Sequence, residues 1–171
     1  MNLIRQIATG NQKALETLYQ NYKTSVFRIA LSILGDTFLA EDVTQETFLK
    51  IQQHADTFRF GDNEKGWVMA IAHNTALHML EKRKRETLQD EVQVIGITDL
   101  SDTIESGEAY ERFCRLLQPL KDLDRQIVCL HLIGELKHRE IAVILNLSVG
   151  AVKKRYERAI RKIAEHLEEN A

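Results

Sequence analysis

Cationic side chains recur on one side of a predicted helix near the end of the chain. Lys153, Lys154 and Arg158 lie within two helical turns, and Glu157 lies among them. Lysine and arginine bind phosphates and guanine edges, whereas a carboxylate can accept a hydrogen bond from cytosine. These residue types at this spacing suit a helix that lies in a DNA major groove. Glu157 is equally suited to an ion pair with Lys153 or Arg161, four residues away on the same helix.

The residues before this helix predict a helix-turn-helix. Residues 138–145 have the pattern of a short first helix, Asn146 and Leu147 form a tight turn, and Ser148 is a typical N-cap for a helix over 149–168. A basic helix face is often only solvated, but a solvated surface helix does not require this preceding architecture. The second helix also has an apolar stripe that faces a core, made of Val149, Val152, Tyr156, Ala159, Ile160, Ile163 and Leu167.

The charge of the chain is divided along its length. The 171 residues are 44% hydrophobic, which is enough for packed cores, and the formal net charge is -2. Residues 1–85 contain 11 Lys or Arg and 9 Asp or Glu. Residues 86–111 contain no Lys or Arg and 8 Asp or Glu, and residues 112–171 contain 12 Lys or Arg and 8 Asp or Glu. Two basic ends are therefore separated by an acidic middle, so the overall charge does not argue against a nucleic-acid partner.

Sparse glycine, a single proline and the absence of strand-like alternation predict an all-α fold. Helical periodicity places helices at about residues 11–34, 39–54 and 65–85, and again at 108–117, 122–133, 138–145 and 149–168. The segment between the two groups shows no sustained helical period. We therefore predict two small helical domains, 1–86 and 108–171, joined by an acidic linker over 87–107, with the helix-turn-helix in the second domain.

Two predicted helices of the first domain have distinctive faces. The pattern of the helix over 39–54 buries Val43, Phe48, Leu49 and Ile51 and exposes Glu41, Asp42, Gln45 and Glu46. The helix over 65–85 carries the apolar residues Trp67, Ile71, Leu77 and Leu80 and ends in the cationic cluster Lys82, Arg83, Lys84 and Arg85. The first helix is therefore acidic and amphipathic, and the second has a basic end.

Other residue patterns argue against an enzyme, a metal site or a membrane span. Cys114 and Cys129 lack the spacing of a metal-binding pair, and the six histidines form no ligand cluster. Neither a signal peptide nor an apolar run that could span a bilayer is evident. We expect a cytoplasmic chain with free thiols, no cofactor, no metal and no catalytic residues.

Three motifs, in order, resemble those of the extracytoplasmic-function sigma factors, small bacterial transcription initiation factors of the sigma-70 family. Residues 40–49 read AEDVTQETFL and depart from the family pattern at Thr44. Residues 67–74 read WVMAIAHN, and residues 140–155 are similar to the family's helix-turn-helix. The resemblance covers nearly the whole chain and implies sigma region 2 over 1–86 and sigma region 4 over 108–171.

The resemblance implies a protein that binds core RNA polymerase, directs it to promoters and helps to melt the DNA. The acidic helix would contact core polymerase through Asp42, Gln45, Glu46 and Phe48, although the pattern of apolar residues suits Phe48 equally well to the core. An anti-sigma factor is implied as a further partner. We expect no obligate homo-oligomer, because no coiled-coil or other dimerisation helix is evident.

Residues of the first domain are implied to bind the minus-ten promoter element. In the family, this part captures a base that is flipped from the non-template strand. Aromatic and guanidinium groups can stack on bases, and an asparagine can both donate to and accept from a base edge. Packing on the core is the alternative role for Phe58 and, with more weight, for Trp67. The implied DNA contacts are Phe58, Arg59, Lys65, Trp67, Asn74, Lys82, Arg83, Lys84 and Arg85.

Residues of the helix-turn-helix are implied to bind the minus-thirty-five element. Lys153, Lys154, Glu157 and Arg158 align with positions that face bases, whereas Ser148 and Arg155 would hold phosphate. If about four phosphates are neutralised, log affinity should fall with log salt at a slope near -3.6. The chain departs from the family at Ala151 and Lys154, and the preferred bases are expected to depend on these two positions. Further departures are His78, Lys121 and His131.

The acidic linker allows two interpretations. In the family it passes through the RNA channel of the polymerase, where carboxylates could mimic an RNA backbone, but its composition is equally typical of a soluble spacer. The main rival function is a stand-alone helix-turn-helix transcriptional regulator, which would bind a palindromic site without polymerase.

Overall fold

The computed structural model of the chain describes residues 2–59, 61–87 and 108–171. These residues form eight α-helices and one 3-10 turn, so the all-α prediction is confirmed for the described part of the chain. The chain divides into two compact units, Met1–Thr98 and Asp99–Ala171. The predicted acidic linker falls almost entirely on residues 88–107, which lie outside the described residues.

The first unit contains four helices: α1 (Leu3–Ala8), α2 (Gln12–Leu34), α3 (Thr37–His54) and, after a 3-10 turn over Ala55–Thr57, α4 (Glu64–Thr87). Side-chain caps begin the first three. Asn2 accepts from the Ile4 N–H at 2.8 Å, Asn11 from the Ala14 N–H at 3.2 Å, and Asp36 from the Leu39 N–H at 3.1 Å. The three predicted helices are found at their expected places, whereas the six-residue α1 was not predicted.

The core of the first unit lies among α2, α3 and α4, each of which packs against the other two. Its largest fully buried side chains include Leu18, Phe27, Ile29, Ile51 and Met69. One detail of the predicted faces is wrong. Leu49 is 58% exposed. On α4 the buried apolar residues are Val68, Met69, Ala72 and Ala76, whereas Trp67, Ile71, Leu77 and Leu80 are only half-buried.

The second unit contains α5 (Glu108–Leu117), α6 (Asp122–Leu132), α7 (His138–Leu145) and α8 (Val149–Glu169). Helix α8 packs against the other three, and α6 also packs against α7. Ile127, Leu130, Leu136, Ile141 and Val152 are fully buried in this core. The predicted apolar stripe of α8 is too long at both ends, because Val149 is 50% exposed and Leu167 is 51% exposed.

The connection between α7 and α8 is the predicted tight turn. Asn146 adopts a left-handed conformation with φ 53°, and the Leu147 N–H donates to the Ala142 carbonyl at 2.9 Å. The Ser148 hydroxyl then accepts from the Ala151 N–H at 3.1 Å, which confirms Ser148 as the N-cap of α8. The second unit therefore contains a helix-turn-helix made of α7 and α8.

Candidate functional site

Two neighbouring hollows follow the boundary between α3 and α4. The first, of about 330 Å³, is lined by residues that include Lys50, His54, Trp67, Ile71 and Asn74. The second, of about 540 Å³, is lined by Glu46, Met79, Lys82, Arg85 and Glu86. Thr75 and His78 line both hollows, so the two form one continuous surface, the α3–α4 groove.

The groove follows directly from helical spacing. Its α4 wall consists of residues three or four apart, which share one side of a helix, and its α3 wall does the same. On α4 the residues with this spacing are Trp67, Ile71, Asn74, His78, Lys82 and Arg85, and on α3 they are Glu46, Lys50 and His54; Thr75, Met79 and Glu86 of α4 also line the groove. From one end to the other, the groove therefore offers an aromatic ring, an amide, and then two cations with the carboxylates of Glu46 and Glu86 in the same hollow.

One cation is held at the middle of the groove. The Lys50 ammonium lies 2.8 Å from the Glu46 carboxylate and donates to the Thr75 hydroxyl at 3.3 Å. These two partners come from both walls of the groove, so they keep the ammonium between α3 and α4. Because Glu46 already pairs with this ammonium, Lys50 offers less charge to a bound anion than an unpaired lysine would.

The groove brings together four of the predicted DNA contacts, namely Trp67, Asn74, Lys82 and Arg85. Lys50, His54 and Ile71 were not predicted to line this surface, and His78 was predicted only as a departure from the family. The signal was present, because Lys50 and His54 are four residues apart on the helix that precedes the loop. The sequence does not specify which sides of α3 and α4 pack against each other.

Phe58 does not line the α3–α4 groove, and its burial favours the predicted alternative in which it packs on the core over base stacking. Its side chain is 8% exposed, and its ring meets Trp67 edge to face, with 5.6 Å between the ring centroids. A ring that is covered in this way cannot stack on a base. Phe58 instead supports Trp67, which is half-buried and lines the groove.

The cationic cluster at the end of α4 is divided between two directions. Lys82 and Arg85 line the groove, whereas the Arg83 guanidinium lies 3.6 Å from the carboxylate of Asp36, the N-cap residue of α3. Arg83 therefore links α4 to α3, and its DNA contact stays a prediction. Lys84 and Arg59 are exposed, and Lys65 is half-buried; none of the three is placed in the groove.

A second surface lies on the exposed side of α3. Phe38 is 71% exposed and Leu49 is 58% exposed, and Asp42 and Gln45 are exposed between them. Their spacing of four, three and four residues makes a single line along the helix, which we call the α3 stripe. It offers two large apolar side chains with polar groups between them, a combination typical of protein interfaces.

Two predicted polymerase contacts do not lie on the α3 stripe. Phe48 is 7% exposed and packs edge to face on Tyr19, with 4.9 Å between the ring centroids. Glu46 lines the groove and pairs with Lys50. The exposed aromatic of this helix is therefore Phe38, and the burial of Phe48 favours the predicted alternative in which that side chain belongs to the core.

On α8 the predicted contacts also point in two directions. Lys153, Lys154 and Glu157 are exposed, and Ser148 is exposed at the start of the helix. Arg155 is half-buried, and its guanidinium donates to the buried Asp124 carboxylate at 2.9 Å. Arg161 is exposed on the same side as Glu157, one turn further on, and was left out of the predicted contacts.

Three aromatic side chains, one each from α6, α7 and α8, pack together in the second unit. The ring centroids of His131 and His138 are 4.8 Å apart, and Tyr156 lies 4.6 Å from His131 and 5.1 Å from His138. The His131 Nδ1 lies 2.8 Å from the Leu136 carbonyl oxygen. Burial lowers the pKa of His138, and the charges of His131 and Lys153 lower it further, against an opposing effect of Glu157.

We expect the stability of the second unit to fall at mildly acidic pH. Because the pKa of His138 is lower in the folded chain than its ordinary value of 6.5, the unfolded chain binds a proton more readily. The free energy of unfolding should therefore be constant above that ordinary value and decrease as the pH falls from it towards the folded pKa. Hydrogen exchange of α7 amides in the full chain between pH 7 and pH 5 measures this.

The matched variant is His138→Gln, which keeps a polar side chain but does not titrate. After correction for the intrinsic exchange rate, its α7 protection should depend less on pH than that of the parent chain. An identical pH dependence in both proteins would assign the effect to other groups.

Two family models match the chain. Residues 18–86 match the family described as sigma-70 region 2, and residues 110–163 match the family described as sigma-70, region 4. Together these matches cover more than half of the chain.

Relatives with similar sequences cover nearly its full length. The chain is 29% identical to the ECF RNA polymerase sigma factor SigW of Bacillus subtilis (strain 168), over 93% of each chain. It is 27% identical to the ECF RNA polymerase sigma factor SigK of Mycobacterium bovis (strain BCG / Pasteur 1173P2), over 94% of this chain and 89% of that protein.

Solved structures share the fold. CnrH, in complex with the cytosolic domain of CnrY, superposes with a TM-score of 0.71 at 24% identity, over 99% of this chain and 97% of that one. RpoE of Bartonella quintana, in complex with the anti-sigma factor NepR, superposes with a TM-score of 0.76 at 24% identity, over 91% of this chain and 98% of that one. In the described ranges, every helix is too short or too polar to cross a bilayer.

Proposed function

The chain belongs to the sigma-70 family, in its extracytoplasmic-function branch, and on that premise we propose how its surfaces divide the work of promoter recognition. A sigma factor directs RNA polymerase to promoters, and this chain does so. The family is not an enzyme family. We propose that the chain acts by binding alone, and that it does so in the cytoplasm.

The α3–α4 groove is the proposed site for the melted minus-ten strand, and its composition is the observation that carries this proposal. Trp67 supplies a ring on which a base can stack, and the Asn74 amide can both donate to and accept from a base edge. Lys82 and Arg85 lie further along the same groove, where they can hold the backbone phosphates. Base capture offsets the few kcal/mol needed to unstack and unpair a base.

Helix α8 is the proposed reader of the minus-thirty-five element. Lys153, Lys154 and Glu157 are exposed on one side of it and suit contacts to base edges in the major groove. Ser148 and the first backbone N–H groups of the helix suit a phosphate. Two DNA-binding surfaces in separate units fit a promoter with two elements.

The α3 stripe is the proposed contact with core RNA polymerase. Phe38 and Leu49 supply the apolar contacts, and Asp42 and Gln45 supply the polar groups between them. This surface lies on the side of α3 away from its buried face, so polymerase and DNA need not compete for the same residues. Binding of a partner over these side chains would remove their apolar surface from water, which favours association.

An anti-sigma factor is a further proposed partner. NepR is described as the anti-sigma factor of RpoE, and CnrH is bound to the cytosolic domain of CnrY. A protein that covers the α3 stripe would keep this chain away from core polymerase.

Run-off transcription tests the proposed function. Purified core polymerase is incubated with the chain and a pool of genomic promoter fragments, and transcript starts are mapped. We expect starts that depend on the chain and share two upstream elements, together with a complex on a sizing column. Failure of both would refute the proposal, and protection of a palindromic site by the chain alone would favour a stand-alone regulator.

A further inference from the structure

A buried carboxylate lies against the helix proposed to read the minus-thirty-five element. Asp124 is 1% exposed and lies in the first turn of α6. The backbone N–H groups at a helix N-terminus favour a negative charge, but a buried carboxylate also needs cationic or hydrogen-bonding partners. Asp124 finds those partners on α8.

Two arginines of α8 hold this carboxylate with unequal strength. The Arg155 Nη1 donates to Oδ1 at 2.9 Å, and the Arg158 Nη2 donates to Oδ1 and Oδ2 at 3.4 Å and 3.5 Å. The Arg155 side chain is 37% exposed and that of Arg158 is 50% exposed. Arg155 is therefore bound closely, whereas Arg158 is tethered by longer bonds and keeps half of its surface in solvent.

This arrangement separates two arginines of α8 from its other cations. Arg155 and Arg158 are three residues apart and both contact Asp124 of α6, which neutralises part of their charge, although Arg158 stays exposed. Lys153, Lys154 and Arg161 are exposed, and Lys162 is half-buried. A phosphate that recruits Arg158 must compete with a carboxylate that is already in place and that would be left with one partner fewer.

We propose that Asp124 is a positioning residue for promoter recognition, which keeps Arg155 in the fold and tethers Arg158, so that α8 presents fewer phosphate-binding charges. The inference rests on the proposed role of α8 in DNA binding. Phosphate contacts contribute the same binding free energy on every DNA sequence. When fewer of them form, base contacts supply a larger fraction of the total binding free energy. Asp124 thus favours discrimination between promoters over general affinity for DNA.

The test is the salt dependence of DNA binding by the full chain and its Asp124→Asn variant. Asparagine keeps the size of the side chain and an acceptor oxygen but removes the charge that holds the arginines. Two fluorescein-labelled duplexes are used, one with the mapped minus-thirty-five element and one scrambled, between 50 and 300 mM NaCl. Each phosphate contact adds about 0.9 to the slope of log affinity against log salt.

We expect Asp124→Asn to steepen the slope by about 0.9 for one released arginine and to bind the scrambled duplex about eightfold more tightly at 0.1 M salt. Its preference for the promoter duplex should decrease. A uniform loss of affinity with an unchanged slope would show that Asp124 only stabilises the fold, and would overturn the proposal.

A second comparison remains decisive if Asp124→Asn does not fold. Arg161→Gln removes an exposed guanidinium that Asp124 does not hold and should reduce the slope by about 0.9, whereas Arg158→Gln should reduce it by clearly less, because the tether already restrains that guanidinium. Equal reductions would overturn the proposal. A parent chain that binds neither duplex would overturn the proposed role of α8 as well, whereas binding with equal reductions would overturn only the role of Asp124.

Discussion

Replacement of Phe38 and Leu49 together by serine is expected to weaken the binding of core RNA polymerase about 100-fold. Burial of one large apolar side chain contributes about 1.5–3 kcal/mol, and the loss of two partly buried side chains at about 3 kcal/mol in total corresponds to roughly two powers of ten. Because both side chains are already exposed in the chain by itself, their removal leaves no cavity. The affinity is measured with labelled chain and purified core enzyme.

Two controls separate loss of contact from loss of fold. The double variant Gln20→Ser/Asn21→Ser changes two exposed residues of α2 and should bind core polymerase like the parent chain. Circular dichroism should give the same melting temperature, within a few degrees, for the Phe38/Leu49 variant and the parent. An unchanged affinity of that variant would refute the α3 stripe as the polymerase contact.

Phe48→Ser, unlike the Phe38/Leu49 variant, should lower the stability of the first unit. Phe48 is buried against Tyr19, and loss of a buried aromatic side chain costs about 3–5 kcal/mol of stability. A fall in polymerase binding by this variant would therefore report an unfolded first unit.

Loss of two groove cations in Lys82→Ala/Arg85→Ala is expected to weaken binding of the single-stranded minus-ten sequence about 25-fold at 0.1 M salt. On a single strand each phosphate contact adds about 0.7 to the salt slope, so the loss of two contacts reduces the slope by about 1.4. The effect follows from the position of both side chains along the α3–α4 groove. A labelled non-template oligonucleotide, titrated with the full chain between 50 and 300 mM NaCl, measures both quantities.

Arg83→Ala is the matched control, since it removes the same kind of charge from the same cluster. Arg83 pairs with Asp36, so its loss should lower stability by up to about 1 kcal/mol and leave the salt slope nearly unchanged. If Arg83→Ala reduced the salt slope by about 0.7, half of the reduction expected for Lys82→Ala/Arg85→Ala, the division of the cluster into groove and structural cations would be wrong.

The helices could be predicted from the sequence because their signals are local. A run of residues with helical periodicity, a cap such as Ser148 and a break such as Gly35 act within a few residues, and each is found where expected. Helix α1 was not predicted, because local signals are weak in a helix this short. Its six residues are too few to display a period, and it packs against α2, α3 and the 3-10 turn.

The direction in which individual side chains point could not be predicted in the same way. Phe48 and Leu49 are adjacent apolar residues, and both fit the buried side of α3 by pattern alone. Only the packing of α2 on α3, with Tyr19 against Phe48, decides which one is buried. Arg83 is equally ambiguous within its run of four cations, because Asp36 lies on another helix.

The sequence by itself determined the family, the helices and the residue types that can meet DNA, because motifs and periodicity are properties of neighbouring residues. The tertiary structure decided which of those residues form one surface. It joined Lys50 and His78 to Trp67 and Asn74 in the α3–α4 groove, moved Phe58 behind Trp67, and set Asp124 against Arg155 and Arg158 across 31 and 34 residues. The physical reason is that burial and ion pairing depend on distances between helices, and no local pattern along the chain specifies those distances.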